Sequence, residues 1–473
     1  MATQADQRPK DATPPQQQQQ QGDQQTDVAS FRRVLKNRNF LLLWLAQLIS
    51  LTVFNAVNFG VILLVTDETH SIFMVGLAII SFTLPAIPFG AVAGSIVDHL
   101  DKRQVLWVTN LLRMATMVLI VVSLLINRSS LWPLFALSYL ASLIGQFFLP
   151  AEGSSIPLLV GEGDLLPALS LFNISITVSQ ALGFLLLGRV VATIFPPFSV
   201  LGLHVESIDM LFVVSAVLYV VCAILILLIP KSAYHEQHSV VHLGKGSRID
   251  LGKTFQTLWH DTVEGWHTIR IDPMLFFSVV QLSVVGIIML LIGELAGTFV
   301  QQVLHRPAAD MSIVLAPAAI GLIGASILLP RITKYISTLR LTSLGFIVLA
   351  IGFVALPASE WIATLIDPKH GASSPLLVVA IIGVVLVLGA AIAVVNIPTQ
   401  TMMQERAPEE SRARVLAFQL MLYSVGSIPV LLFAGAIAQL LGFDQLIGLL
   451  SASLLAFCGW SVWYVKKHRQ QVG

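Results

Sequence analysis

Twelve apolar stretches, each longer than 20 residues, decide what this chain can become. A helix needs about 20 apolar residues to cross a bilayer, and backbone groups in lipid must be satisfied within the segment that carries them. The stretches run over 39–64, 71–97, 104–126, 131–157, 165–195, 208–229, 272–300, 310–331, 337–357, 374–402, 412–440 and 443–465. The sequence therefore predicts an all-α polytopic membrane protein with 12 transmembrane helices in two six-helix bundles. A polar stretch from Pro230 to Pro273 separates the two sets, and such a division is the outline of a two-part transporter.

Composition agrees. The chain is 56% hydrophobic and 11% charged, where a soluble domain is about a quarter charged. Five units are expected: a disordered tail over 1–30, a bundle over 31–229, a connector over 230–271, a second bundle over 272–466 and a short tail over 467–473. The first unit is rich in Gln and has nothing to bury. No export-type leader is visible in it.

Charge sets the expected orientation. If the N-terminus is cytoplasmic, 22 Lys and Arg fall in inner segments and three, Arg128, Arg306 and Lys369, in outer loops. That asymmetry follows the positive-inside rule and places both termini in the cytoplasm of a bacterial plasma membrane. In the connector, Phe255, Leu258, Trp259, Val263 and Trp266 recur near helical spacing, which predicts a helix over 250–270 lying on the inner surface. Pro85, Pro88, Pro317, Pro398 and Pro429 fall inside spans and predict bends.

One loop carries a motif. Gly90-Ala-Val-Ala-Gly94-Ser-Ile-Val-Asp98-His-Leu-Asp101-Lys102-Arg103 joins spans 2 and 3. Small residues at Gly90 and Gly94 let helices approach. Asp98 can cap the next helix or pair with a cation, and Lys102 and Arg103 anchor the loop on the inner face. The loop resembles the hallmark of the major facilitator superfamily: Gly, three residues, Asp, Arg, any residue, Gly, Arg, then Arg or Lys. The match falls on Gly94, Asp98, Lys102 and Arg103. His99 stands for the first Arg and Asp101 for the second Gly. A weaker copy without the Asp runs from Gly324 to Lys334. FRRVLKNRNFLLLWLAQLIS, FFLPAEGSSIPLLV and DLLPALSLFN are similar to the bacterial branch of macrolide-efflux-like and enterobactin-exporter-like permeases. The resemblance covers about 30–466. It implies alternating access of two bundles around a central cavity.

Charges within spans are costly and mark pathways or partners. Glu152 and Glu294 are the candidate proton-coupling acids. Arg113 lies at a depth similar to Glu152, so an Arg113–Glu152 ion pair is the structural reading of both. Arg189 and Glu294 lie in opposite halves near the outer ends of their spans, as a gate pair or as separate boundary residues. Gln47, Asn55, Asn58, Asn173, Gln180, Gln281 and Asn396 are candidates for the substrate cavity, with joining helices the more ordinary role of each. Trp44, Phe147, Phe148 and Phe172 could form an aromatic wall.

There is no phosphate-binding loop, nucleophile elbow or spaced metal-ligand set, so neither ATP hydrolysis, a cofactor nor a metal is expected. Basic loops suit lipid headgroups rather than nucleic acid. The expectation is a monomeric secondary transporter of small molecules, read as a proton-coupled efflux permease. An importer or facilitator and a non-transporting membrane sensor or assembly protein are the alternatives.

Overall fold

Polar residues at the edges of the apolar runs start the helices. The Asn37 side chain accepts from the backbone N–H of Asn39 and Phe40 and opens helix α1 (Arg38–Thr69). Its amide nitrogen donates to the Leu159 carbonyl at 2.7 Å, which ties this end to the end of α5. Asp101 accepts from the Gln104 N–H and caps α4 (Lys102–Ile126). The residue that departs from the loop motif is thus the helix cap. Asp272, followed by Pro273 at the first helical position, opens α9 (Pro273–Gln302) in the same way.

The computed structural model describes residues 32–98, 100–161, 164–183, 188–200, 203–234, 264–332, 335–366, 375–408 and 411–468. The side chains of Asp98, Asn173 and Arg189 also lie outside the described set. The remaining helices are α2 (Ile72–Thr83), α3 (Ala86–Asp98), α5 (Trp132–Leu159), α6 (Leu165–Ala181), α7 (Gly188–Ile194) and α8 (Ser207–Leu227) in the first half. The second half adds α10 (Ser312–Ile332), α11 (Thr338–Ile366), α12 (Pro375–Arg406), α13 (Arg412–Leu441) and α14 (Phe443–His468). Among the described residues, ten helices are long and apolar enough to cross a membrane, and Ile313–Leu329 is a shorter apolar helix. The protein is an integral membrane protein of all-α class. The predicted second span breaks into α2 and α3 at Leu84–Pro85, where a proline was expected to bend it. By contrast, α12 and α13 run through Pro398 and Pro429. An antiparallel ribbon, β1 (Phe198–Val200) with β2 (Leu203–Val205), sits before α8; no strand was expected.

Most of the expected connector helix, 235–263, lies outside the described residues. Its end is helical over 264–271 and docks on the second half. Trp266 stacks on Phe418 at 5.3 Å, Ile269 is buried, and Glu264 pairs with Arg414 at 2.9 Å.

Within each half the helices pack on one another; α5 touches α3 and α4, and α12 touches α10 and α11. Between halves, the main meeting is α2 with α13, supported by α9 against α1 and α2. The molecule has two faces. The termini face carries the start of α1 and the end of α14. The far face carries the ends of α1, α9 and α13. One apolar core runs across both halves toward the far face, from Val53 and Val75 through Leu295 to Leu431 and Ile447. Toward the termini face the core divides: one cluster, with Phe40, Phe148 and Ile226, belongs to the first half, and another, with Leu275, Met403 and Val415, to the second.

Candidate functional site

The far-face seam holds a buried carboxyl. Glu294 sits on α9, fully buried, and neither carboxyl oxygen has a hydrogen-bond partner among the described residues. Its neighbour across the seam is bare backbone. A Cβ built at Gly76 on α2 would lie 2.6 Å from Glu294 Oε1 and 3.3 Å from the Leu431 carbonyl of α13. One carboxyl therefore lies where α2, α9 and α13 converge.

The same strip of α9 makes the rest of the seam. Glu294, Gly297 and Gln301 are spaced three and four apart, so they share a helix face. A Cβ at Gly297 would lie 2.8 Å from the Thr66 side chain of α1. Gln301 donates to Asp67 at 3.1 Å and its oxygen faces His70 Nδ1 at 3.2 Å. On the other side of the seam, Gln439 donates to Ser71 at 2.5 Å. A Cβ at Gly435 on α13 would meet the Phe73 backbone, 2.4 Å from its Cα and 2.6 Å from its nitrogen. Glycine alone allows so close an approach.

A second buried site lies inside the first half. Arg113 on α4 donates to Ser50 at 3.0 Å, and Ser50 in turn donates to Asn110 at 3.2 Å. The guanidinium carbon lies 5.1 Å from the Phe148 ring centroid, 5.7 Å from Tyr219 and 5.8 Å from Phe54. It rests against Gly145, where a Cβ would lie 2.7 Å from Nη2. Glu152 is also buried, with both oxygens unpartnered among the described residues. Arg113 is within coulombic reach of it, yet Arg113 makes its hydrogen bond to Ser50, and no ion pair within 4.0 Å joins the two among the described residues. Aromatic faces hold this cation in place of a carboxylate.

The other sequence-nominated residues divide. Gln47 donates to the Phe172 carbonyl at 3.3 Å and Trp44 to Ser175 at 2.7 Å, stitching α1 to α6. Asn55 donates back to Leu51 on its own helix, at 2.8 Å. Asn58 is buried, Gln180 is exposed and Asn396 is half-buried. Gln281 is fully buried; its oxygen accepts from Thr399 at 3.2 Å, and its amide nitrogen has no partner among the described residues. In the motif loop, Arg103 donates to the carbonyls of Ile229 and Leu227 at 2.8 and 2.7 Å, closing the end of α8. Lys102 donates to the Leu100 carbonyl at 3.2 Å. A Cβ at Gly90 would meet Gln146 at an ordinary 3.6 Å, and one at Gly94 would meet nothing within 4 Å. The side chains of Arg189, one half of the possible gate pair with Glu294, and of Asp98 lie outside the described residues.

Sequence reasoning missed the far-face charge network. Arg128, counted only as an outer-loop cation, pairs with Glu68 at 2.7 Å, Glu206 at 2.6 Å and the buried Asp209 at 3.0 Å. Burial works against its charge, but Glu68, Asp209 and Glu206 outweigh that and raise its pKa above the usual value. Asp209 also accepts from the Glu206 N–H at 2.9 Å, completing a capping box at the start of α8. The Glu206-to-Asp209 spacing was the available signal.

The family model described as Major Facilitator Superfamily matches residues 43–431. The chain is 23% identical over 366 residues to an uncharacterized MFS-type transporter, YfiS, of Bacillus subtilis, covering 77% of this chain and 78% of that one. It is 26% identical over 173 residues to macrolide efflux protein A of Streptococcus pyogenes, covering 36% of this chain and 43% of the other. In structure it is similar to the nucleoside transporter NupG, with a TM-score of 0.67 at 13% identity, covering 90% of this chain and 99% of that one. At that identity the likeness speaks for the fold alone.

Proposed function

Because the chain belongs to the Major Facilitator Superfamily, a family of secondary transporters, we propose that it is a proton-coupled efflux permease for small amphipathic compounds. It acts as a monomer in a bacterial plasma membrane with both termini in the cytoplasm. The single observation that carries proton coupling is Glu294, a buried carboxyl with no partner in the seam between the two halves. An ionised carboxylate needs water, donors or a counter-charge. The closed seam offers none of these among its described residues, so closure of the far face and ionisation of Glu294 work against each other.

With the termini in the cytoplasm, the far face is the outer face, and this arrangement is closed outward. The cycle follows. Opening outward wets Glu294 and releases substrate. Protonation from the outer side makes the carboxyl compatible with the dry seam, which closes. The inner side then accepts new substrate, and loss of the proton toward the inner side leaves a charge that the dry seam disfavours, which drives the next opening. A ligand or proton moves such an equilibrium only through its different affinity for the two states. Glu152 is the second candidate acid, in the first half. The partial likeness to a macrolide efflux protein supports outward transport of amphipathic compounds.

Inverted membrane vesicles test this. With an acid interior, they should accumulate amphipathic compounds drawn from a broad panel, and a proton ionophore should abolish the accumulation. Accumulation that persists after the gradient is collapsed would sink proton coupling. Flux only in the opposite direction would make the protein an importer.

A further inference from the structure

Two of the seam glycines do different jobs. At Gly435 and Gly76 an added methyl group meets different kinds of atom. At Gly435 it meets the Phe73 backbone at 2.4 and 2.6 Å, and backbone cannot step aside without moving α2 away from α13. At Gly76 the near atom is Glu294 Oε1 at 2.6 Å, the tip of a flexible side chain, while the Leu431 carbonyl is 3.3 Å away. The carbonyl needs to give by a few tenths of an ångström; the carboxyl tip has to shift further, which is cheap only where there is room beside it.

We propose that Gly76 is a socket: its missing side chain is the space that the Glu294 carboxyl fills when the far face closes. Gly76 is then a positioning residue that acts through Glu294, whereas Gly435 sets the approach of the two backbones. The proposal rests on the reading of the halves as moving parts that open and close at this seam. It follows that filling the socket matters only when there is a carboxyl to evict. Glu294 is fully buried, so a displaced carboxyl has no solvent to move into while the seam is closed, and closure is penalised.

A double-mutant comparison tests this on the full-length protein. Spin labels attached at Ser129→Cys and Gln302→Cys report the far-face distance between halves; both positions are exposed at the far end, while the native Cys222 and Cys458 are buried. Gly76→Ala should raise the population ratio of open to closed far faces by about tenfold in the otherwise native protein. In a Glu294→Ala background the same change should move it by less than about twofold. Gly435→Ala should open the face to a similar extent in both backgrounds. If Gly76→Ala does not yield folded protein, recovery of monodisperse protein on adding Glu294→Ala carries the same meaning, and failure to recover it counts against the socket. Equal effects of Gly76→Ala in both backgrounds, or none in either, would overturn the proposal and leave the glycine serving only the Leu431 carbonyl. Loss of gradient-driven flux in the native protein would defeat the coupling scheme without altering these distances, so the two ideas fail separately.

Discussion

The two faces of the molecule are held together by different chemistry. At the far face the halves touch each other through backbone against backbone at Gly435 and Phe73, a carboxyl against Gly76, and neutral amides at Gln301 and Gln439. At the termini face, four polar contacts among the described residues each lie within one half. Arg103 closes the end of α8, Arg33 pairs with Asp164 at 2.6 Å, Arg406 with Asp272 at 3.7 Å, and Arg414 with Glu264. The difference teaches how such a protein can part on one side without penalty. Halves that answer their own polar groups leave none of these unpaired when they separate, whereas an unpaired buried group would cost about 1–3 kcal/mol. The far face joins by shape and small residues, contacts that can be remade without breaking strong ion pairs.

Mutations can break or sharpen this contrast. The largest effect is expected from Glu294→Gln, which keeps the shape of the seam and removes its exchangeable proton. Gradient-driven transport should fall by about tenfold or more at equal membrane abundance, since each factor of ten needs only about 1.4 kcal/mol of lost coupling. Full gradient-driven transport in this variant would move the role of coupling acid to Glu152.

Next comes the first half. Arg113→Gln removes the donor to Ser50 and three aromatic contacts, and should cost about 2–4 kcal/mol of stability. Glu152→Gln should cost about 1 kcal/mol or less, because no hydrogen bond to its carboxyl is lost. Thermal unfolding of both variants and the double mutant decides. Near-additive losses are expected; stability restored in the double mutant would reinstate an Arg113–Glu152 ion pair.

A smaller change is expected at the far-face amides. Gln439→Ala removes one seam hydrogen bond, to Ser71, and Gln301→Ala removes two, to Asp67 and His70, each bond worth about 1 kcal/mol. Each should open the far face by a few-fold in the same distance measurement, and no shift would mean that the glycine contacts alone hold it. The smallest effect belongs to Arg103→Gln. It should lower stability by about 1 kcal/mol through the end of α8 while leaving far-face closure unchanged. A change in closure would show that the termini face is less self-contained than its hydrogen bonds indicate.

Much of the architecture was legible because lipid leaves so few solutions. Apolar runs and the break at Pro85 are local signals that were read; the caps at Asn37 and Asp272 are equally local and were not. The site was legible only in part. Glu294 and Arg113 stood out because a charge inside an apolar run is conspicuous. Their surroundings did not, since Gly76 meets Glu294 through the packing of α2 on α9, and nothing in the spacing of either helix announces that meeting. The partners of Arg128 were missed for a similar reason. A loop cation reads as an orientation signal, whereas its three carboxylates come from the end of α1 and the start of α8. Asp101 looked like damage to a motif and is a helix cap, because a short polar side chain beside an exposed helix start finds N–H groups regardless of the motif it interrupts.

The single apolar core shared by both halves toward the far face has a thermal consequence. Parting the seam wets part of that core, and wetting apolar surface raises the heat capacity. To the extent that closing the termini face buries a different apolar area in return, the free energy separating the two arrangements curves with temperature. Cooling weakens the drive to keep apolar surface dry, so a chain tuned to switch readily in a warm membrane would rest in a different mixture of its two arrangements in a cold one, with no residue changed.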